Sequence, residues 1–299
     1  MPDNKLTSHL TQNTSLTSAI GSWEIFLADQ GRSPNTIKAF LSDVRLLTKF
    51  LPEDITLGKV TTKDLNRYFE WMEKERNVPC SPKTLARRIT ATKSLFRWLH
   101  QYGVLMVDPA EKVAQRSAIS PIPTVLTPKE YDEVLLAADR HRRGAKPDAR
   151  SYTLVYLLLT TGIKKNETLG INLEHIELDS PNGPQVFIKY ATPANRYKER
   201  KLTLPEDWIP AYEEYLAQYK PEEKLFRWSQ RRLEYLLEDI GNEAGLTKHL
   251  SFDMCRWTCA LTDFHAGVEP DQIRQKLGVS KIQWRELFIK LKQLAGSKE

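Results

Sequence analysis

Apolar side chains recur at helical spacing through the first hundred residues. Ile37, Leu41, Val44, Leu47 and Leu51 fall three or four positions apart, behind Ser33-Pro34, an N-cap followed by proline at the first helical position. Thr61 and Asp64 form a variant capping box ahead of Leu65, Tyr68, Phe69 and Met72. Ser81-Pro82 opens another helix, with Leu85, Ile89, Phe96 and Leu99 on one stripe and the smaller Thr92 between them. Together with a helix around 20–28, these segments predict a four- or five-helix bundle over residues 15–113. The polar residues 1–14 before it are expected to be flexible.

The pattern breaks at 114–126, where Ser120-Pro121-Ile122-Pro123 cannot continue a helix, and an interdomain linker is expected there. Thr127-Pro128-Lys129-Glu130 restarts helix with a capping box and a proline at N1. A second domain over 127–299 follows. It holds a buried helix at 152–159 that ends near Gly162, then short β-prone runs (HIEL, QVFIKY, KLTL) with Pro181-Asn182-Gly183 as a turn. Helical signals return after Pro205, with restarts at Ser251, Pro270 and Ser280. The architecture expected is mainly α, with a small antiparallel sheet set into a helical second domain.

Composition fits two domains and narrows the setting. The chain has 299 residues, 40% of them hydrophobic, and Lys plus Arg exceed Asp plus Glu by 44 to 38, a net charge of +6. That excess is a weak pointer to a polyanionic partner, and its distribution matters more. Three cysteines make no disulfide framework and suit a reducing compartment. The N-terminus lacks the apolar core of a signal peptide, and no run approaches the roughly 18 apolar residues of a membrane span. A cytoplasmic, nucleoid-associated protein without membrane contact is the expectation.

Positive charge gathers in two places. Residues 81–100 carry Lys83, Arg87, Arg88, Lys93 and Arg97 with no acid among them. Arg196, Lys198, Arg200 and Lys201 sit in the predicted hairpin. Each cluster reads either as a phosphate-contacting surface or as a solvated face. Cys255 and Cys259, four apart with His249 and His265 nearby, read as buried thiols. They lack paired metal-ligand spacing, so no metal and no other cofactor is expected.

Several short segments, in order, resemble the tyrosine recombinase or phage integrase family, in its Xer-like form. Ser33-Pro34-Asn35-Thr36 and SPKTLARRITATKSLFRWL at 81–99 resemble its N-terminal, SAM-like core-binding domain. Residues 161–167, Thr-Gly-Ile-Lys-Lys-Asn-Glu, resemble the first catalytic box, Thr-Gly-apolar-Arg-x-x-Glu. Lys198-Glu199-Arg200 before Leu202-Thr203-Leu204-Pro205 is similar to the hairpin with the catalytic lysine. Asp253 to Ala260 resembles His-x-x-Arg-His-Thr-x-Ala, and Ile273 to Val279 resembles the apolar-Leu-Gly-His segment. The likeness spans about residues 16–294, and it implies the family's α+β catalytic-type domain for the second half.

The resemblance also implies which chemistry is absent. The family transfers a DNA phosphodiester to tyrosine, with two arginines and further donors holding the phosphorane and a lysine supplying the proton. Arg256 matches one arginine, Lys164 replaces the other, Lys198 matches the hairpin lysine and Glu167 the supporting acid. Asp253 and Val279 replace two donors, and Phe288 stands where the nucleophilic tyrosine belongs, with no tyrosine after Tyr235. None of the positions Lys164, Lys198, Asp253, Arg256, Val279 and Phe288 is therefore expected to act catalytically.

The expectation is a pseudo-enzyme that clamps double-stranded DNA in an accessory, architectural or regulatory role linked to recombination or mobile elements. Candidate contacts are Thr36, Lys38, Arg87, Arg88 and Lys93 in the bundle, and Lys164, Lys198, Lys201 and Arg256 in the second domain. By resemblance, the C-terminal helix docks on a neighbouring copy in a homo-oligomer. Two other readings stay open: an active recombinase or nuclease using Ser280 or water, and a protein–protein module that has lost DNA.

Overall fold

The computed structural model describes residues 7, 9–78, 80–116 and 121–296. The chain divides into two compact units, Met1–Pro121 and Ile122–Glu299. Of the segment expected to be the linker, 117–120 lie outside the described residues, as do 1–6 and 8 of the segment expected to be flexible. The rest of that N-terminal segment is held in place. Leu10 is buried in the bundle core, and the carbonyls of Gln12 and Thr14 accept from the N–H groups of Gly58 and Leu57.

Four α-helices make the first unit among the described residues: α1 (Leu16–Asp29), α2 (Pro34–Phe50), α3 (Thr62–Lys74) and α4 (Pro82–Gln101). The starts of α2, α3 and α4 are the ones the caps predict, while α1 begins at Leu16, ahead of the helix expected around 20–28. Ser33 and Ser81 hydroxyls accept from Thr36 N and Thr84 N, and Thr61 with Asp64 closes a reciprocal capping box. The apolar stripes meet around Trp23, Leu47, Leu65, Tyr68, Phe96 and Trp98, all fully buried.

One buried acid reshapes the basic face of α4. Asp43 on α2 is 3% exposed and accepts from Arg87 Nε and Nη2 (both 2.9 Å) and from Arg88 Nε (3.4 Å). Arg88 also donates to Cys80 Sγ at 3.1 Å. Lys93 caps the carbonyls of Glu111 (3.2 Å) and Val113 (2.6 Å). A helix with no acid of its own thus takes its counter-charge from 44 residues upstream.

The second unit is built on α6 (Arg150–Thr161), whose Leu154, Val155, Leu157, Leu158 and Leu159 are all buried. It is apolar on most sides because α5 (Pro128–Arg143), α8 (Ile209–Tyr219), α9 (Gln230–Glu243) and α10 (Phe252–His265) all pack on it or on each other. Gly162, in the left-handed conformation at φ 60°, ends α6. A short α7 (Lys165–Leu169) follows, then an antiparallel sheet in the order β1 (Ile176–Glu177), β2 (Gln185–Ile188), β3 (Arg200–Thr203). The chain closes with α11 (Pro270–Lys276) and α12 (Lys281–Gly296). No helix among the described residues is long and apolar enough to cross a membrane.

Candidate active site

Strand parity decides where the hairpin cations go. Val186 and Ile188 of β2 are buried and pair with Leu202 and Arg200 of β3, so Arg200 shares the inward face with Leu202 while Lys201 points outward. Lys201 accordingly forms an exposed ion pair with Glu177 at 2.8 Å. Arg200 turns instead into the unit. Its Nη1 and Nη2 donate to the two oxygens of Glu167 (3.1 and 2.9 Å), and its side chain is 9% exposed against 2% for Glu167.

Glu167 is the hub of this corner. Besides Arg200, its carboxylate accepts from the Lys164 backbone N–H at 2.8 Å and from the Tyr190 hydroxyl. Burial pushes the carboxyl up, but the Arg200 bonds and charge, with those other donors, outweigh it and hold the group below the usual carboxylate range. Tyr190 is pushed up by burial and by its bond to Glu167, so it stays a donor.

Four consecutive carbonyls, that of Lys276 at the end of α11 and the three that follow it, collect Arg200, Arg256, Lys164 and Arg274. Arg200 Nε donates to Lys276 O (2.6 Å) and Arg256 Nη2 to Leu277 O (2.6 Å). Lys164 Nζ donates to Gly278 O (3.2 Å) and Arg274 Nη1 to Val279 O (3.1 Å). A helix C-terminus leaves its last carbonyls without partners and carries partial negative charge, so cations settle there. Arg256 spends a second donor on Gly162 O at 2.5 Å. Burial pulls the Arg256 pKa down, and the charges of Glu167 and Asp253 act against that.

Gly278 makes the arrangement possible. Its φ is 58°, and a Cβ there would lie 2.7 Å from Arg200 Cζ and closer still to Nη1. Gly278→Ala is therefore expected to cost about 2–4 kcal/mol from left-handed strain and overpacking together. A urea titration of the variant beside the parent checks this, and a midpoint unchanged within error would contradict it.

The remaining site positions lie nearby in different settings. Asp253, exposed in the first turn of α10, lines a cavity of about 450 Å³ together with Lys164, Lys165, His249, Ser251 and Arg256. Lys165 is paired with Glu234 at 2.6 Å. Lys198 ends a 3-10 turn, Pro193–Lys198, and donates to Asn195 Oδ1 at 2.8 Å. Val279 is 7% exposed, in an apolar cluster with Trp257, Leu277 and Leu291. Phe288 packs against the same cluster, stacks on Trp284 at 5.4 Å and meets the edge of Phe264, with Lys292 Nζ 4.6 Å from its ring centre. Ser280 accepts from Gln283 N, an N-capping contact for α12.

In the first unit, Thr36 serves its own helix cap and Lys38 is exposed. Arg87 is 46% exposed despite its ion pair, while Arg88 is 13% exposed. Cys255 and Cys259 are buried free thiols, and burial pushes them up to about 12 and about 11. No group of three potential metal ligands occurs among the described residues. Sequence reasoning missed Asp43, Tyr190, the inward turn of Arg200 and the Lys276–Val279 carbonyls. Only Arg200 had a usable signal, its two-residue offset from the buried Leu202.

Comparison with known proteins gives a consistent match for both units. Residues 20–103 match the phage integrase N-terminal SAM-like domain, and residues 124–291 match the phage integrase family. Tyrosine recombinase XerD of Listeria innocua is 21% identical over 282 residues, covering 90% of this chain and 92% of that protein. Tyrosine recombinase XerC of Mycobacterium sp. (strain JLS) is 29% identical over 165 residues, so the chain spans about half the length of that relative, 54%. XerH site-specific recombinase, solved in a post-cleavage complex with palindromic difH substrate, shares the fold. Its TM-score is 0.73 at 18% identity, over 93% of this chain and 81% of that one.

Proposed function

This chain belongs to the phage integrase family of tyrosine recombinases, and we propose that it is a member that binds duplex DNA without cutting it. Its role is accessory, architectural or regulatory in recombination or in the life of a mobile element. The observation that carries the reading is the fate of the catalytic positions. Phe288 is a packing side chain without a hydroxyl, Val279 is core, and Lys164 and Arg256 each donate to backbone carbonyls.

Transition-state stabilisation requires donors aimed at the phosphorane, and losing one such donor typically costs about 10²–10³ in rate. Here two donor positions and the nucleophile are gone, and a third position has exchanged a bidentate guanidinium for a single ammonium. What remains suits binding. Lys164, Lys198 and Arg256 supply positive charge in the second unit, and Lys38 and Arg87 supply exposed charge in the first.

Helix α12 packs on α10 and α11 of its own chain, yet leaves Ile282 80% and Ile289 60% exposed one face apart from that packing. These two isoleucines, set among the exposed Lys281, Gln283, Arg285 and Glu286, support docking between copies on DNA through this helix. The test of the proposal is a nicked suicide duplex incubated with the protein: retarded complex without covalent adduct is expected. A denaturation-resistant protein–DNA band would overturn the claim of inactivity, and absence of any complex at low salt would overturn DNA binding.

A further inference from the structure

Asp43 fixes an arginine that it does not need for charge balance. Arg87 Nε and Nη2 donate to Asp43 Oδ2 and Oδ1, both at 2.9 Å, yet Arg87 stays 46% exposed over a carboxylate that is 3% exposed. Arg88, 13% exposed, already donates to the same acid at 3.4 Å and is tied inward to the sulfurs of Cys80 and Met72 at 3.1 and 3.8 Å. The carboxylate therefore holds two guanidiniums, one packed among side chains and one set at the surface.

A guanidinium carries five N–H donors, and a bidentate carboxylate occupies one edge of it, two of the five. The edge formed by Nη1 and the second hydrogen of Nη2 is left over, a parallel fork already aligned. No other acceptor among the described residues takes a hydrogen bond from Arg87. Arg87 also stands within a stripe of α4, where Lys83, Arg87, Thr90, Ser94 and Arg97 recur three or four positions apart, exposed or half-exposed. The buried Leu85, Ile89 and Phe96 lie on the opposite side. The stripe is all donors and holds no acid.

We infer that Asp43 is a positioning residue that presents the free edge of Arg87 to a guanine, so that this pair sets the base preference at one position of the DNA site. The inference rests on the duplex-binding reading above. Guanine offers two acceptors, O6 and N7, side by side in the major groove, and an arginine fork meets both.

Two features separate Arg87 from the other cations of α4. An unheld arginine loses rotamer freedom when it makes a directional contact, and Asp43 has removed that freedom beforehand. The charge of Asp43 is itself covered by the two guanidiniums, so the carboxylate does not face the phosphates. Lys93 is spent on the Glu111 and Val113 carbonyls. Lys83 and Arg97 are exposed and held by no partner among the described residues, which suits phosphate, where charge counts and direction does not specify sequence.

The experiment selects duplexes from a random-sequence library with the full-length protein and its variants, and reads base preference position by position in the bound pool. The parent is expected to enrich guanine at one position. Arg87→Ala should lower that preference by about 5- to 150-fold, the range of one bidentate base contact, and leave the other positions unchanged. Asp43→Asn should erode the same position several-fold, as should Asp43→Asn with Arg88→Met, which strands no guanidinium in the core. Adding Arg87→Ala to either should change that position no further, because Asp43 acts through Arg87. Thermal melts report folding separately. A loss on Arg87→Ala spread evenly over all sequences overturns base reading and leaves Arg87 a phosphate contact. An unchanged guanine preference in the folded Asp43 variants overturns the positioning role. A parent that binds no duplex at low salt removes the duplex-binding reading and this inference with it, whereas binding without an Arg87-dependent guanine removes this inference alone.

Discussion

Glu167→Ala is expected to lower the stability of the second unit by about 3–5 kcal/mol, because it leaves Arg200 as a buried guanidinium without its counter-charge. For a unit of this size that corresponds to a fall in Tm of about 10 °C. Arg200→Ala should cost a similar amount for the mirror reason. Replacing both by apolar residues of matching volume should recover much of the loss, since a buried pair contributes less than the penalty for breaking it. Thermal melts of the singles and the double test this, and single-variant losses under about 1 kcal/mol would mean that the corner is not the brace described.

The same pair predicts a pH dependence. The folded-state pKa of Glu167 is depressed, so its contribution is fully present above the ordinary carboxylate range and is lost as pH falls through the folded value. Glu167→Gln should remove that component of acid destabilisation while keeping the side-chain shape.

DNA affinity is expected to fall by about 10³-fold or more between 50 and 200 mM salt, the response of a protein that neutralises six or more phosphates. Individual residues should separate by their structural state. Lys38→Ala should reduce the log–log salt slope by about 1, as expected when one fewer phosphate is neutralised. Arg88→Ala should instead act on folding, since Arg88 is 13% exposed and tied to Asp43 and Cys80. Fluorescence anisotropy at several salt concentrations measures both. A slope near zero for the parent would favour a protein–protein module over a DNA clamp.

Much of the fold was legible because it is written locally. The Ser-Pro and Thr-Pro starts of α2, α4 and α5 and the capping boxes at Thr61 and Thr127 are short-range devices, and the structure uses each of them. The sheet followed from β-prone runs and the turn at Gly183, which has a φ of 82°. The four- or five-helix expectation resolved to four α-helices among the described residues.

The site was legible as positions and not as interactions. The order of boxes pointed to Lys164, Lys198, Asp253, Arg256, Val279 and Phe288, but it carried no information on what each side chain meets. Residues 81–100 looked like uncompensated positive charge because Asp43 lies on another helix, and periodicity reports which face is buried without naming the partner. The acceptors at 276–279 are main-chain carbonyls, common to every residue and invisible in a sequence. Arg200 could have been placed, since alternation along β3 puts it with Leu202, yet neighbouring Lys201 made the pair look like one exposed patch.

On the proposed function, this site is dismantled rather than short of one hydroxyl. Phe288→Tyr on a nicked suicide duplex tests it most directly. Asp253 and Val279 still offer no donor and Lys164 a single ammonium in place of a guanidinium fork, and these losses are expected to compound to a rate deficit on the order of 10⁴ or greater. The prediction is that the variant binds the duplex as the parent does and forms no covalent adduct. A denaturation-resistant adduct from Phe288→Tyr alone would contradict the account, showing that the cations held on the α11 carbonyls still serve the phosphate and that only the nucleophile was missing.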